Sequence, residues 1–440
     1  MNSKSRAQSR RRNIIKTAWS GLLTRVVTMS VSLIMVPLAL NYLGKEQYGL
    51  WITVSSLVAM MGFLDGGAGN AVLNIVAHES GSNKDNLRKI VSTSFFSMAA
   101  LTIMGAVLFV SIYPFIPWEK LLGLGKDSKV ENIDTVILVT GLSFFISIST
   151  TLVGKIQRGL QQGNLDNLTN AVGSLLSLFF VYLAISYNAG LIGFVIALLT
   201  GPIIAYLGGN IYYFFLKRKD LRPSIVDVEK KVAKKILATG GLFFVLQIAS
   251  VIQGQADNVI ISNMLGSAAV TTYSICMKLF LIPPMFFGLI LTPLWPAYRE
   301  AFASGDIQWV KRIYLKTLKW SLLLSIPSAL ILIFLGKIII NLWIGNDVSP
   351  SSGLLIGCGI WLVFNAIGGS TAMLLNGLEI VKPQIFIAIS ASLVNIIATI
   401  YLIPIFGAEG AVYGSVIAYL FFVLFPCLII IKSVFIQHTK

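Results

Sequence analysis

Apolar residues in this chain come in long blocks rather than in alternation. Twelve stretches are each long enough to cross a bilayer. They lie at roughly 18–42, 48–75, 90–115, 133–153, 168–186, 190–215, 236–264, 268–295, 320–336, 353–376, 383–404 and 408–431. A helix needs about 20 predominantly apolar residues to span the hydrocarbon core. Only short polar connections separate the stretches, which leaves no room for a separate folded domain. The pattern predicts an all-α integral membrane protein of about twelve transmembrane helices. The expected layout is a cytoplasmic basic N-terminus (1–17), a first six-helix lobe (18–215), a basic linker (216–235), a second six-helix lobe (236–431) and a cytoplasmic tail (432–440).

The two halves echo each other. Leu43-Gly44 after span 1 matches Leu265-Gly266 after span 7, at an offset of 222 residues. Gly159-Leu160-Gln161 after span 4 matches Gly377-Leu378-Glu379 after span 10, at 218. Gly193 to Ala197 in span 6 matches Gly414 to Ala418 in span 12, at 221. One such match is weak in an apolar chain, but three at nearly one offset carry weight. An offset of six spans keeps the orientation, so the repeats are parallel, related by an axis along the membrane normal. Transporters built this way place the substrate path between the repeats.

Composition agrees with the pattern: 440 residues, 56% hydrophobic and 12% charged, with a mean hydropathy of +0.81. The net charge of +16 does not point to nucleic acid, because of where the cations sit. Most Lys and Arg fall on connections that share a side with the N-terminus, which predicts cytoplasmic N- and C-termini by the positive-inside bias. The outer loop 116–132 runs weakly against this with Lys120, Lys126 and Lys129, accompanied by Glu119, Asp127, Glu131 and Asp134. The basic N-terminus resembles a signal peptide's first region, but the apolar segment after it is too long for one, which predicts an uncleaved first span.

The linker holds Lys217, Arg218, Lys219, Arg222, Lys230, Lys231, Lys234 and Lys235. Ile225, Val228, Val232 and Ile236 recur at helical spacing. That combination predicts an interfacial helix attracted to anionic lipid, serving as a tether. Cys276, Cys358 and Cys427 fall in spans without metal spacing, and His78 and His438 are scattered. Neither a metal site nor a cofactor is expected.

Four ionisable residues lie deep in spans: Arg25, Asp65, Asp257 and Lys278. Such groups are costly in lipid and are expected to face a cavity or one another. Arg25 precedes Tyr42 by as many residues as Asp65 follows Tyr48, so both lie about 25 Å from the outer end of one hairpin and can pair. Lys278 lies near the midplane and Asp257 slightly nearer the outer face; they too can pair, less level. Arg25 has an alternative, snorkelling to the inner surface. For Asp65 and Asp257 a structural ion pair and a role in ion coupling both stand open. Helix breakers accompany these charges: Asp65-Gly66-Gly67-Ala68-Gly69-Asn70 in span 2, Pro283-Pro284 and Pro293 in span 8, Pro37 in span 1. Span 7 also carries Gln247, Gln253, Gln255 and Asn258. This polar set fits a watery vestibule or interhelical hydrogen bonds.

There is no phosphate-binding GxxxxGKS/T loop, no HExxH, no GxSxG and no CxxC pair. The outer loops, the longest near 116–132 and 337–352, are short and hold no clear carboxylate pair for glycosyl chemistry. A transporter is expected rather than an enzyme.

Several segments carry a resemblance. They are Leu43-Gly44 through Tyr48-Gly49-Leu50-Trp51, Gly62 to Asn70, and Gln157-Arg158-Gly159-Leu160-Gln161. Asp257 to Ile261 with Leu265-Gly266 and Tyr273, and Trp295-Pro296-Ala297 with Glu300, complete the set. Over nearly its whole length the chain resembles the bacterial O-antigen and polysaccharide flippases of the multidrug/oligosaccharidyl-lipid/polysaccharide exporter superfamily. The resemblance implies two six-helix lobes forming a V, with a cavity that opens to each side in turn. It implies a cargo of undecaprenyl-pyrophosphate-linked oligosaccharide moved from the cytoplasmic to the periplasmic leaflet of the inner membrane. Membrane lipid, an O-antigen polymerase and a chain-length regulator are the implied partners; nucleic acid is not.

The resemblance also implies that a cation of span 1 and others in later spans hold the pyrophosphate, positions that Arg25 and Lys278 occupy. Arg suits phosphate oxygens by its fork, whereas Lys acts as a point charge. Two other readings stay open at this point. One is a cation-coupled multidrug exporter of the same superfamily, which the deep cations disfavour. The other is a membrane glycosyltransferase or polymerase, which the short outer loops disfavour.

Overall fold

The computed structural model describes residues 3–62, 67–79, 84–123, 133–291, 294–378, 380 and 382–437. The first half of the chain forms α1 (Ser3–Met60), α2 (Ala68–Glu79), α3 (Lys84–Ile112), α4 (Trp118–Leu121), α5 (Ile133–Thr150), α6 (Leu152–Gly159), α7 (Gly163–Ser186) and α8 (Gly190–Ile211). The second half forms α9 (Lys230–Leu265), α10 (Ser267–Phe280), α11 (Ile282–Leu291), α12 (Leu294–Ala303), α13 (Ile307–Ile344), α14 (Ser352–Gly377), α15 (Lys382–Phe406), α16 (Glu409–Tyr419) and α17 (Phe425–Gln437).

Among the described residues, 10 helical segments from Trp19–Met60 to Glu409–Ile436 are long and apolar enough to cross a membrane. The first of them holds two spans, because α1 turns at Gly44. At 36 residues, α9 is about 54 Å long and outreaches the hydrocarbon core. The protein is thus an all-α membrane protein of about twelve spanning helices in two lobes. Large apolar side chains point outward along the helices, as at Phe334 and Leu342 of α13. In lipid the backbone satisfies itself within each helix, so such faces need no protein cover.

The chain packs into two compact units. One comprises Met1–Gly44, Leu57–Trp118 and Asp127–Ile248. The other comprises Lys45–Ser56, Glu119–Lys126 and Ala249–Lys440. The second leg of α1 therefore packs with the second half of the chain, and the handover falls at Gly44. That residue has φ 73° and ψ 172°, and its repeat mate Gly266 has φ 87° and ψ 166°. Only glycine enters this region readily. The same turn recurs at the same place in both halves.

Three features depart from the sequence pattern. The linker does not form an interfacial helix: short turns at Lys219–Leu221 and Ile225–Asp227 precede α9, which starts at Lys230. The apolar stripe therefore splits, with Ile225 and Val228 on the loop and Val232 and Ile236 on the helix. The loop is pinned to the start of α3. Arg88 pairs with Asp227 at 2.9 Å and Lys89 with Glu229 at 2.6 Å. The amides of Ser224 and Glu229 donate to the hydroxyls of Ser92 and Thr93. These bonds satisfy the non-helical backbone, which a helix would have satisfied internally.

Next, α13 does not stop near 336 but runs to Ile344, so the outer loop expected at 337–352 shrinks to the stretch between Ile344 and Ser352. Lastly, span 8 is interrupted at Leu281, between α10 and α11, where Pro283-Pro284 cannot continue the hydrogen-bond ladder.

Candidate functional site

Three helices of the second unit converge on Asp257. The glycines of α16 set the geometry. Gly410 lies against the backbone of Leu402 and Ile403, and Gly414 against Thr399, so α16 closes on α15 at a distance no side chain permits. Ser415 and Thr399 are thereby brought to the carboxylate of Asp257 on α9, and Tyr273 reaches it from α10. The Tyr273 and Ser415 hydroxyls donate to Oδ2 at 2.9 and 3.0 Å. Thr399 Oγ1 stands 3.2 Å from Oδ1. Asn395 braces the ring: its amide donates to Ser415 Oγ at 2.8 Å, and its Oδ1 lies 3.0 Å from Thr399 Oγ1.

Asp257 is buried and has no cationic partner among the described residues. Its negative charge is held by hydroxyls alone. This corrects one alternative read from the sequence, the Asp257–Lys278 ion pair. The two residues lie on different helices and serve different neighbours.

Lys278 belongs to a second cluster. Its ammonium donates to the Tyr48 hydroxyl at 3.0 Å and sits 5.6 Å from the centre of that ring. Tyr48 comes from the second leg of α1, which crosses α10 tightly. Lys278 is half-buried, and no carboxylate pairs with it among the described residues. Ser56 is the last residue of the Lys45–Ser56 stretch before the chain leaves this unit, and it takes a hydrogen bond from Asn258 Nδ2 at 2.9 Å. The oxygen of that amide, Asn258 Oδ1, is buried without a partner among the described residues. Gln255 is half-buried and makes no side-chain hydrogen bond among them.

Arg25 lies in the first unit. On α1, Thr24 donates to the Asn167 carbonyl at 2.9 Å, and Asn167 Nδ2 donates to Ser20 Oγ at 2.9 Å. Those contacts turn one face of α1 onto α7. The next residue points about 100° away at 3.6 residues per turn, so Arg25 is exposed and outside that packing. The expected Arg25–Asp65 pair involves a residue outside the described ones. The side chains of Gln247 and Gln253 are outside them as well.

The sequence pattern singled out the charges and missed their partners. Tyr48, Tyr273, Asn395, Thr399 and Ser415 all carry hydroxyls or amides in apolar helices. The one available signal was the matched pair of segments around Tyr48 and Gly266–Tyr273.

A family model described as "Polysaccharide biosynthesis protein" matches residues 13–302. The chain belongs to this family. A second model, MatE, matches residues 242–401. Curated relatives of this family member include a "Putative O-antigen export protein" of Yersinia pseudotuberculosis, 24% identical over 378 residues, covering 84% of each chain. A "Putative O-antigen transporter" of Salmonella typhi is 23% identical over 418 residues, covering 91% of this chain and 92% of that one.

Among solved structures, the lipid II flippase MurJ in an inward closed conformation superposes with a TM-score of 0.75 at 19% identity, over 96% of this chain and 90% of that one. An inward-facing multidrug resistance MATE family transporter of the MOP superfamily gives 0.72 at 16% identity, over 96% and 100%. This member of the family therefore has the fold shared by these transporters.

Proposed function

We propose that the protein is a flippase in the bacterial inner membrane, with cytoplasmic termini. In this reading it carries undecaprenyl-pyrophosphate-linked O-antigen repeat units from the cytoplasmic to the periplasmic leaflet by alternating access. The observation that carries the reading is Lys278, a half-buried ammonium within a span whose protein partner is a neutral phenol. A cation in low dielectric calls for an anion, and a pyrophosphate supplies one. Arg25, exposed on α1, offers a second cation. Gln255, half-buried and without a side-chain hydrogen bond among the described residues, offers unspent hydrogen-bonding capacity to sugar hydroxyls.

Asp257 supplies the coupling site. As a carboxylate it accepts from Tyr273, Ser415 and Thr399. When it takes up a proton on Oδ1, that proton is donated to Thr399 Oγ1, and the threonine turns its own proton to Asn395 Oδ1. Every donor keeps an acceptor in both states, so loading costs no buried hydrogen bond. A proton can in this way be taken up and released by Asp257 at each cycle.

The MatE match keeps a drug exporter as the second reading. The test is to introduce Lys278→Ala and Arg25→Ala and confirm normal membrane insertion. The flippase reading expects lipid-linked sugar to accumulate on the inner leaflet and drug resistance to stay unchanged in a strain without its own pumps. Normal transport in both variants, or drug resistance conferred by the unaltered protein, contradicts it.

A further inference from the structure

A lipid-linked sugar has a chain as well as a head, and Lys278 and Gln255 address only the head. In the second unit a groove of about 540 Å³ runs between α11–α12 and α13. Phe287, Leu291, Leu294, Ile313, Trp320 and Leu324 form its walls. Its two hydroxyls turn away from an occupant: Thr317 donates to the Ile313 carbonyl at 2.8 Å, and Ser321 shares a proton with Ser370 at 2.7 Å. The lining is mostly apolar, and the groove's size falls within the range of small-molecule sites.

One end is charged. Lys316 lines the groove, is exposed, and has no ion-pair partner among the described residues. Lys311, Arg312 and Lys319 share its end of α13, and no acidic residue lies anywhere on that helix. From Trp320 through to Ile344 the helix carries a single charged residue, Lys337. Lys316 thus stands at headgroup level, with Trp320 at the interface where indoles collect. Leu324 lies about 12 Å deeper along the helix axis.

We propose that this groove seats the polyprenyl chain of the lipid-linked sugar during loading, with Lys316 holding the pyrophosphate before it passes to Lys278. The proposal rests on the flippase reading above. A single furrow accepts a single chain, which a polyprenyl carrier has and a diacyl phospholipid does not. A pyrophosphate also carries more charge than one phosphodiester, matching an end of α13 that holds Lys311, Arg312, Lys316 and Lys319 and no acidic residue.

The full chain in lipid nanodiscs tests this with two photoreactive probes, a polyprenyl pyrophosphate and a phosphatidylglycerol, each reactive at the chain end. The pyrophosphate probe is expected to label α11 and α13 and to be competed by unlabelled undecaprenyl pyrophosphate. Lys316→Glu should reduce labelling about tenfold, the loss of one charge-assisted contact of about 1.4 kcal/mol. Leu324→Trp, a surface change that folds, should reduce it by filling the furrow.

Equal labelling by phosphatidylglycerol without competition overturns the proposal, as does labelling that neither variant changes. If the pyrophosphate probe labels other helices in a way that Lys278→Ala abolishes, the groove is wrong while the flippase reading stands. Labelling nowhere contradicts both.

Discussion

Gly49 lies directly against the main-chain carbonyl of Ser267, with no room for a side chain between them. The contact is one half of a reciprocal pair, because Thr271 donates its hydroxyl to the Lys45 carbonyl at 2.5 Å. At the repeat offset of 222, Lys45 corresponds to Ser267 and Gly49 to Thr271. Equivalent positions of the two repeats thus touch each other, which puts a local pseudo-twofold axis at this crossing. The crossing delivers Tyr48 to Lys278.

Gly49→Leu should therefore force the second leg of α1 off α10. Overpacking of this kind costs about 1–3 kcal/mol. Thermal unfolding of the purified variant should show the loss, and Lys278 should lose its phenol partner. Gly44→Ala meets no neighbouring atom, so its cost is the backbone conformation alone, about 1–3 kcal/mol. A Gly49→Leu variant as stable as the parent would show that the crossing is loose.

Asp257→Asn keeps the shape of the cage and removes its exchangeable charge. Transport should fall at least about tenfold and lose its dependence on the ion gradient, while the melting temperature changes little. Thr399→Val should also impair transport, since it breaks the relay to Asn395 while preserving size. Retained gradient-dependent transport in Asp257→Asn would move coupling elsewhere.

The charged members of these clusters were legible in the sequence because a Lys or Asp inside an apolar run stands out. Their partners were not. Serine and threonine are ordinary in membrane helices, where they bond back to the preceding turn, as Ser94 and Thr140 do here. Nothing in the pattern separates those from Thr399 or Ser415, whose roles come from the close approach of α15 and α16 at Gly414. The twelve spans were readable for a related reason, since each needs only length and apolarity. Their ends were less so. Lys337 read as the end of a span, yet α13 continues past it, because Gly336 packs on Leu355 and the lysine stays exposed. The linker stripe read as one helix because periodicity carries no information about the Arg88–Asp227 and Lys89–Glu229 pairs that hold the loop open.

Those two pairs give a further prediction. The four side chains are between about a quarter and a half exposed, so solvent screens both pairs and each should contribute little. Lys89→Glu should loosen the loop and speed proteolysis between Arg218 and Lys230. The double change with Glu229→Lys should restore protection. Cleavage at the parent rate in the single variant would show that the Ser92 and Thr93 hydroxyls hold the loop without the charges.

Lys278→Arg should preserve more transport than Lys278→Ala, because the charge is retained even though the contact with Tyr48 changes. Tyr48→Phe removes the hydroxyl and keeps the ring, and should reduce transport less than loss of the charge does. Initial rates of lipid-linked sugar translocation in proteoliposomes rank the three. Equal rates in all of them would remove Lys278 from the substrate path.

The most direct measurement is complementation of strains that lack their own O-antigen flippase, using several hosts with different repeat units, with lipopolysaccharide stained for long O-antigen. The account predicts restored long chains in at least one host, abolished by Lys278→Ala and by Asp257→Asn at normal membrane levels. Failure in every host despite confirmed membrane expression, together with drug efflux by the same protein, would contradict it.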